Sequence, residues 1–428
     1  MKRHMSPGRV IALGFAAVIL TGTLLLFLPF THNEGVSVTL TDALFTSTSA
    51  VCVTGLIAID TADTFNWIGQ TVVALLIQIG GLGITSIGVG FIILTGRKIC
   101  MRERLLVKEA LNYDSFRGVL SLVVSVLRVT ICFEVAGAAL SFISFSKDYP
   151  VGKAIGISIF HSIAAFNNSG FDILGNYQNL IPYQKDVLLN LVTCGLIIFG
   201  GMGFFVIREL LHIRSFKKFS LHTKIVLVMT GSLLIIGTLL LKMTDKITWL
   251  EAFFTSTSAR TAGFSTFPIG DLSMAGLVVL IILMFIGASP GSTGGGIKTT
   301  TFFLMVRAVI SASTNKQSEA FKRKLSQDVI HKAFIITTLS IGVVIVSSFA
   351  LTIFEPKTEF LKLLFETVSA FGTVGLSTGI TPKLTDMSKL VLIFTMYIGR
   401  LGPLTVASLW ITSPNSQVSR AEETVAIG

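Results

Sequence analysis

Four copies of one short motif constrain this chain more than any other feature. SAVCVTGL at residues 49–56 returns as AAFNNSGF at 164–171, SARTAGFS at 258–265 and SAFGTVGL at 369–376. Each copy carries a glycine (Gly55, Gly170, Gly263, Gly375), and ten residues before each glycine stands a phenylalanine (Phe45, Phe160, Phe253, Phe365). A second glycine-bearing segment follows each copy: IGGLG at 79–83, FGGMG at 199–203, IGASPG at 286–291 and IGRLG at 398–402. Features matched at three places define four diverged repeats. Their boundaries are expected at 1–96, 97–213, 214–320 and 321–428.

Composition decides where such a chain resides. It is 51% hydrophobic and 13% charged, with mean hydropathy +0.78, against about 25% charged for a soluble domain. Apolar runs of roughly 20 residues, long enough to cross a bilayer as a helix, recur about eight times. The first, at 10–30, follows Lys2, Arg3 and Arg9 and is too long for a secretory h-region, so it reads as a retained helix. The net charge of +11 could suggest nucleic acid, but the basic residues cluster in alternate short loops: three before the first run, six in 97–117, five in 208–224 and six in 307–332. That is the positive-inside pattern; it predicts a multi-pass protein of the cytoplasmic membrane with both termini cytoplasmic, and no nucleic-acid partner. Cys52, Cys100, Cys132 and Cys194 lack metal or disulfide spacing.

Each repeat reads as helix, half-helix, glycine loop, helix. The expected elements are 10–30, 41–50 and 67–95; 119–145, 153–165 and 187–207; 222–242, 250–258 and 274–310; and 331–354, 361–370 and 388–412. A segment of ten residues extends only about 15 Å as a helix, so it enters the membrane and returns. Asp42 suits a helix start there. Irregular backbone at membrane depth survives only when buried in protein or lining a water-filled path, and four such loops around one axis can offer carbonyl oxygens to a desolvated cation. The fold class is therefore all-α polytopic: four pseudo-repeats and eight spanning helices around one pore.

These residues, together with PGSTGGGIKT at 290–299, resemble the Trk/Ktr/HKT superfamily of potassium transporters over residues 8–412. The short length is most similar to the membrane subunit of bacterial Ktr systems. The resemblance implies potassium as substrate, a homodimer, a cytosolic nucleotide-binding ring of RCK type as regulatory partner, and often sodium activation; nucleotide is expected only on that partner, and no cofactor in this chain. Carried over, the selectivity filter is Val51, Cys52, Val53, Thr54 and Gly55; Phe166, Asn167, Asn168, Ser169 and Gly170; Ala259, Arg260, Thr261, Ala262 and Gly263; and Phe371, Gly372, Thr373, Val374 and Gly375. In the plant branch a serine at the first filter glycine marks sodium preference; all four positions are glycine here.

The family also implies a gating loop beneath the filter in the third repeat. Gly287, Ala288, Ser289, Pro290, Gly291, Ser292, Thr293, Gly294, Gly295 and Gly296 cannot hold an uninterrupted helix. Arg400 is the matching charged gate residue, and an arginine at membrane depth needs protein or water around it. Lys298 follows the loop, but Ile297 separates it from the last glycine and no strand precedes, so a phosphate-binding loop is excluded in favour of a gate-adjacent lysine.

Arg260 would repel a cation if it faced the pore, so it is expected to point behind the filter toward Glu366. His161, Asn167 and Asn168 read as supports that donate to backbone carbonyls, and Glu134 as a structural polar contact rather than a proton-coupling group. The basic segment 314–328 is either a solvated loop or a docking surface for a regulatory subunit. Sodium- or proton-coupled symport is the alternative to a gated pore; an enzyme is not expected, because the spans hold no Ser/His/Asp or paired-acid constellation.

Overall fold

The computed structural model describes residues 7–94, 105–106, 119–213 and 215–408. Most of the basic stretch 97–117, with Cys100, and the tail beyond 408 lie outside the described residues. Repeat one comprises α1 (Pro7–Phe27), α2 (Leu40–Val51), α3 (Trp67–Leu82) and α4 (Ile84–Leu94). Repeat two has α5 (Val119–Phe145), α6 (Val151–Phe166), α7 (Val187–Met202) and α8 (Phe204–His212). Repeat three has α9 (Leu221–Thr244), α10 (Trp249–Ser258), α11 (Met274–Phe285) and α12 (Thr299–Thr314). Repeat four has α13 (Gln327–Phe354), α14 (Phe360–Gly372), α15 (Asp386–Leu401) and α16 (Pro403–Ser408). A small antiparallel hairpin, β1 (Glu319–Ala320) and β2 (Arg323–Lys324), stands in the basic segment before α13.

The first helix of every repeat is long and apolar enough to span a membrane: Gly8–Phe27, Val123–Phe145, Leu221–Thr244 and Gln327–Phe354. The second is interrupted as expected in repeat three, but in repeats one, two and four it is not the continuous span expected from the sequence. It breaks at Gly83, Gly203 and Gly402, with φ of 81°, 91° and 87°, and in repeat three it opens into the segment 286–298. A left-handed backbone cannot continue a right-handed helix, and only glycine enters that region at little cost. At Gly203 the two halves, α7 and α8, are bent by 101°.

Side-chain packing repeats as well. Gly22, Gly137 and Gly237 on the first helices lie against Ser47, Ser162 and Ser256 on the half-helices and against Leu76, Leu196 and Leu283 on the second helices. Each serine donates to a first-helix carbonyl: Ser47 to Ile19 at 2.7 Å, Ser162 to Glu134 at 2.7 Å, Ser256 to Leu234 at 3.1 Å. Repeat four joins its two long helices instead by Thr395 Oγ1 donating to Ser347 Oγ at 2.8 Å. In repeats one to three the half-helix is thereby pinned to the first helix of its repeat. Asparagine, threonine or serine caps start many of these helices, as Thr39 caps α2 by accepting from the Asp42 N–H at 3.1 Å.

Candidate functional site

At the C-terminal ends of the half-helices the chain makes four similar loops. In repeats one, three and four a serine six or five residues ahead of the glycine holds the loop: Ser49 Oγ accepts from Gly55 N–H and donates to the Leu56 carbonyl, Ser258 donates to the Phe264 carbonyl, and Ser369 accepts from Gly375 N–H. Repeat two has Ala164 there, which offers no hydroxyl, and its backbone carbonyl accepts from Ser169 N–H at 2.8 Å. Val53, Asn168 and Thr373, two residues before their glycines, are left-handed, as are Gly55, Gly170, Gly263 and Gly375. Twisting both positions rotates successive peptide units, which a helix cannot do.

The glycines close a ring. A side chain on Gly55 would collide with the Ser169 carbonyl, one on Gly170 with that of Ala262, one on Gly263 with that of Val374, and one on Gly375 with that of Thr54. Four carbonyls and four glycines thus alternate around one axis, each repeat touching the next and the fourth touching the first. All the expected filter residues are buried in or beside this ring.

One side of the ring opens into a cavity of about 500 Å³ that reaches Gly55, Gly263 and Gly375 and carries Asp172, Asn179 and Asp271. Asn179 donates to the Gly170 carbonyl and to Asp172 Oδ2, both at 3.1 Å. Asp172 lies in the connection beyond the ring, outside the membrane helices. Burial, opposed by the Leu174 N–H and reinforced by the nearby charge of Asp60, pushes its carboxyl up to about 7.

On the other side stands the segment 287–296, folded back on itself: Ile286 and Ile297 bridge at its neck. Ser289 N–H donates to the Gly201 carbonyl at 3.0 Å, Thr293 Oγ1 to the Gly200 carbonyl at 3.2 Å, and Gly295 N–H to Thr373 Oγ1 at 2.9 Å. The Gly291 carbonyl accepts from Phe204 N–H at 3.0 Å, across the break between α7 and α8. Lys298 reaches back to the Gly294 carbonyl at 2.8 Å. Arg400 crosses beneath the ring and donates to the Thr293, Gly80 and Gly81 carbonyls. Its three acceptors belong to the loop and to α3, so it ties both to α15.

The supports behind the ring differ in part from expectation. Arg260 is buried but does not pair with Glu366; among the described residues its Nε has no hydrogen-bond partner. Glu366 instead accepts from Ser377 Oγ at 2.6 Å, Thr381 Oγ1 at 2.7 Å and Thr378 N–H at 3.0 Å, closing the loop after the fourth glycine. The physical reason is proximity: these donors lie on the same loop, so the carboxylate is satisfied without drawing a guanidinium across from another repeat. His161 bonds the Thr193 hydroxyl at 2.9 Å, not a carbonyl, and sits between the rings of Phe145 and Phe264. Asn167 donates to the Ile163 carbonyl at 2.9 Å and to the side chains of Gln78 and Glu134 at 2.9 and 3.1 Å, which makes Glu134 part of the scaffold. The Asn168 amide fits with its nitrogen toward the Ile197 and Ala165 carbonyls and its oxygen accepting from Thr261 Oγ1 at 2.7 Å.

Sequence reasoning passed over one pair. Lys389 on α15 meets Asp42 on α2 at 2.7 Å, and both side chains are nearly buried. A lysine three residues beyond the helix start, at the edge of an apolar run, was the available signal.

Four loops thus meet in a polytopic helical membrane protein, with a polar cavity on one side and Arg400 on the other, and a family match places it among the transporters and not the enzymes. A profile of the family described as TrkH, cation transport protein, matches residues 10–229 and 220–420, and the chain belongs to that family. It is 39% identical over 446 residues to the potassium/sodium uptake protein NtpJ of Enterococcus hirae, covering 100% of this chain and 98% of that one. It is also 39% identical over 442 residues to the Ktr system potassium uptake protein B of Bacillus subtilis, covering 99% and 97%. The crystal structure of the potassium transporter TrkH from Vibrio parahaemolyticus superposes with a TM-score of 0.75 over 96% of this chain and 86% of that one, at 20% identity. At that identity the likeness speaks for the fold.

Proposed function

We propose that the chain takes up potassium across the cytoplasmic membrane through the four-loop ring, with both termini on the cytoplasmic side. The observation that carries this is the closed circuit of carbonyls and glycines from Gly55 to Gly375. Fixed carbonyl dipoles can replace the hydration shell of a cation, and half-helices aiming their C-terminal ends at the same centre add partial negative charge. The cavity with Asp172 and Asp271 is the cation entrance. The loop 287–296 and Arg400 are the gate, because together they fill the path beneath the ring and are joined to it through Thr373. Potassium is favoured by the four filter glycines and by the relative named as a Ktr system potassium uptake protein.

One relative is named as part of a Ktr system, which supports a regulatory partner for this chain as well. The partner is a cytosolic nucleotide-binding ring acting on the basic loops, the membrane unit is a homodimer, and sodium activates transport. The test is ion flux into liposomes holding the purified protein, potassium against sodium, with Gly375→Ser beside it. Potassium-selective flux that loses selectivity in the variant is the expected result. Flux that requires an opposing sodium or proton gradient would replace the gated pore by coupled symport.

A further inference from the structure

The search for groups the transport path leaves unused ends at a second cavity, of about 550 Å³, between α11, α12, α13 and α14. Three observations bear on its occupant. Its wall is hydrocarbon apart from Thr337, whose hydroxyl is already spent on the Ala333 carbonyl at 3.0 Å and on Met305 Sδ. No polar atom is therefore left to hold water, and an apolar cavity of this kind stays dry. Its outer rim, formed by Ile282, Val306, Val309 and Ile310, is exposed on helices that lie within the membrane-spanning unit, so it faces lipid. It runs beside α12 from the middle of the broken third-repeat helix toward the basic segment that follows α12, where Lys316, Lys322, Arg323 and Lys324 are exposed. A cation there stands where the headgroup of an anionic phospholipid would lie if its chain entered the cavity.

We propose that this cavity binds one acyl chain of a phospholipid from the leaflet on the side of the basic loops. Its inner end is made by Ile286 and Ile297, the two residues that bridge to form the neck of the 287–296 loop. The chain therefore packs against the hinge of the loop and holds the neck closed. The gating consequence rests on the reading of that loop as the gate; the binding site does not.

The experiment compares the full-length protein with Val309→Trp, which fills the exposed rim where folding has little to lose, and with Val344→Phe deeper inside. Phospholipid retained after exhaustive detergent exchange is quantified per chain, with monodispersity by gel filtration as the check on folding. The expected result is a tightly held anionic phospholipid on the parent protein that either filled variant loses, and a potassium flux that varies severalfold with lipid chain length in the parent but not in the variants. Equal retention in parent and variants overturns the proposal. So does efficient cross-linking of two chains through Val309→Cys in liposomes, which would make a second copy the occupant. Lipid lost from the variants while no protein conducts potassium would sink the proposed gate and leave the lipid site standing.

Discussion

Gly375 has φ 93° and no room for a methyl group beside the Thr54 carbonyl. A side chain adds left-handed strain of about 1–2 kcal/mol to an overlap that displaces the carbonyl. Because the ring is closed, alanine at Gly55, Gly170 or Gly263 is expected to act like alanine at Gly375. Each should cut the potassium-to-sodium flux ratio by roughly tenfold, the equivalent of about 1.4 kcal/mol; one position that tolerates alanine would break the symmetry argument. Asp172 supplies a pH dependence with a definite sign. With its carboxyl raised to about 7 by burial, it is neutral in acid and charged in alkali, so the mouth gains negative charge as pH rises through 7. Initial uptake rates at fixed ion gradients should increase over that interval, and Asp172→Asn should be slow and flat. The ring glycines were legible in the sequence because four copies at matched spacing mark them. Asp172 was not, since its burial and its neighbour Asp60 arise only from folding distant segments together.

Among the elements, the second helices carry the lesson. The third-repeat break announced itself through five glycines and a proline in ten residues. The breaks at Gly83, Gly203 and Gly402 did not, because two or three glycines cost a helix only about 1 kcal/mol each and do not by themselves end it. What ends these helices is tertiary: the freed backbone is taken up by neighbours, as the Gly291 carbonyl takes Phe204 N–H. The loop is held in place by Arg400, Lys298 and Thr373, so loosening them is expected to open the path. Arg400→Gln removes a charge and at least one of three hydrogen bonds; charge-assisted bonds contribute about 1.5–3 kcal/mol each, and flux measured without the regulatory partner should rise about tenfold or more. Deletion of residues 294–296 should do the same. A folded deletion variant with unchanged flux would dismiss the loop as a gate.

In the whole molecule the polar links between the first and fourth repeats are concentrated on α15. Lys389 meets Asp42 at 2.7 Å, Tyr397 donates to the Ala12 carbonyl at 2.7 Å, and Arg400 reaches Gly80 and Gly81. Removing one partner of a nearly buried ion pair costs about 3–5 kcal/mol, since the other charge is left unpaired. Lys389→Met should lower the thermal midpoint and cation selectivity together, whereas Asp42→Asn with Lys389→Met should recover much of the stability. Loss without recovery in the pair would mean that α15 needs the charges for something beyond cohesion. These contacts join residues more than 300 positions apart, and they have a bearing on how such a protein is made. Until the fourth repeat is delivered to the bilayer, the first three surround an unfinished circle, with no glycine against the Thr54 carbonyl and no carbonyl against Gly263. The ring proposed as the ion path therefore closes only when the last repeat has been made, so a chain interrupted during synthesis lacks it.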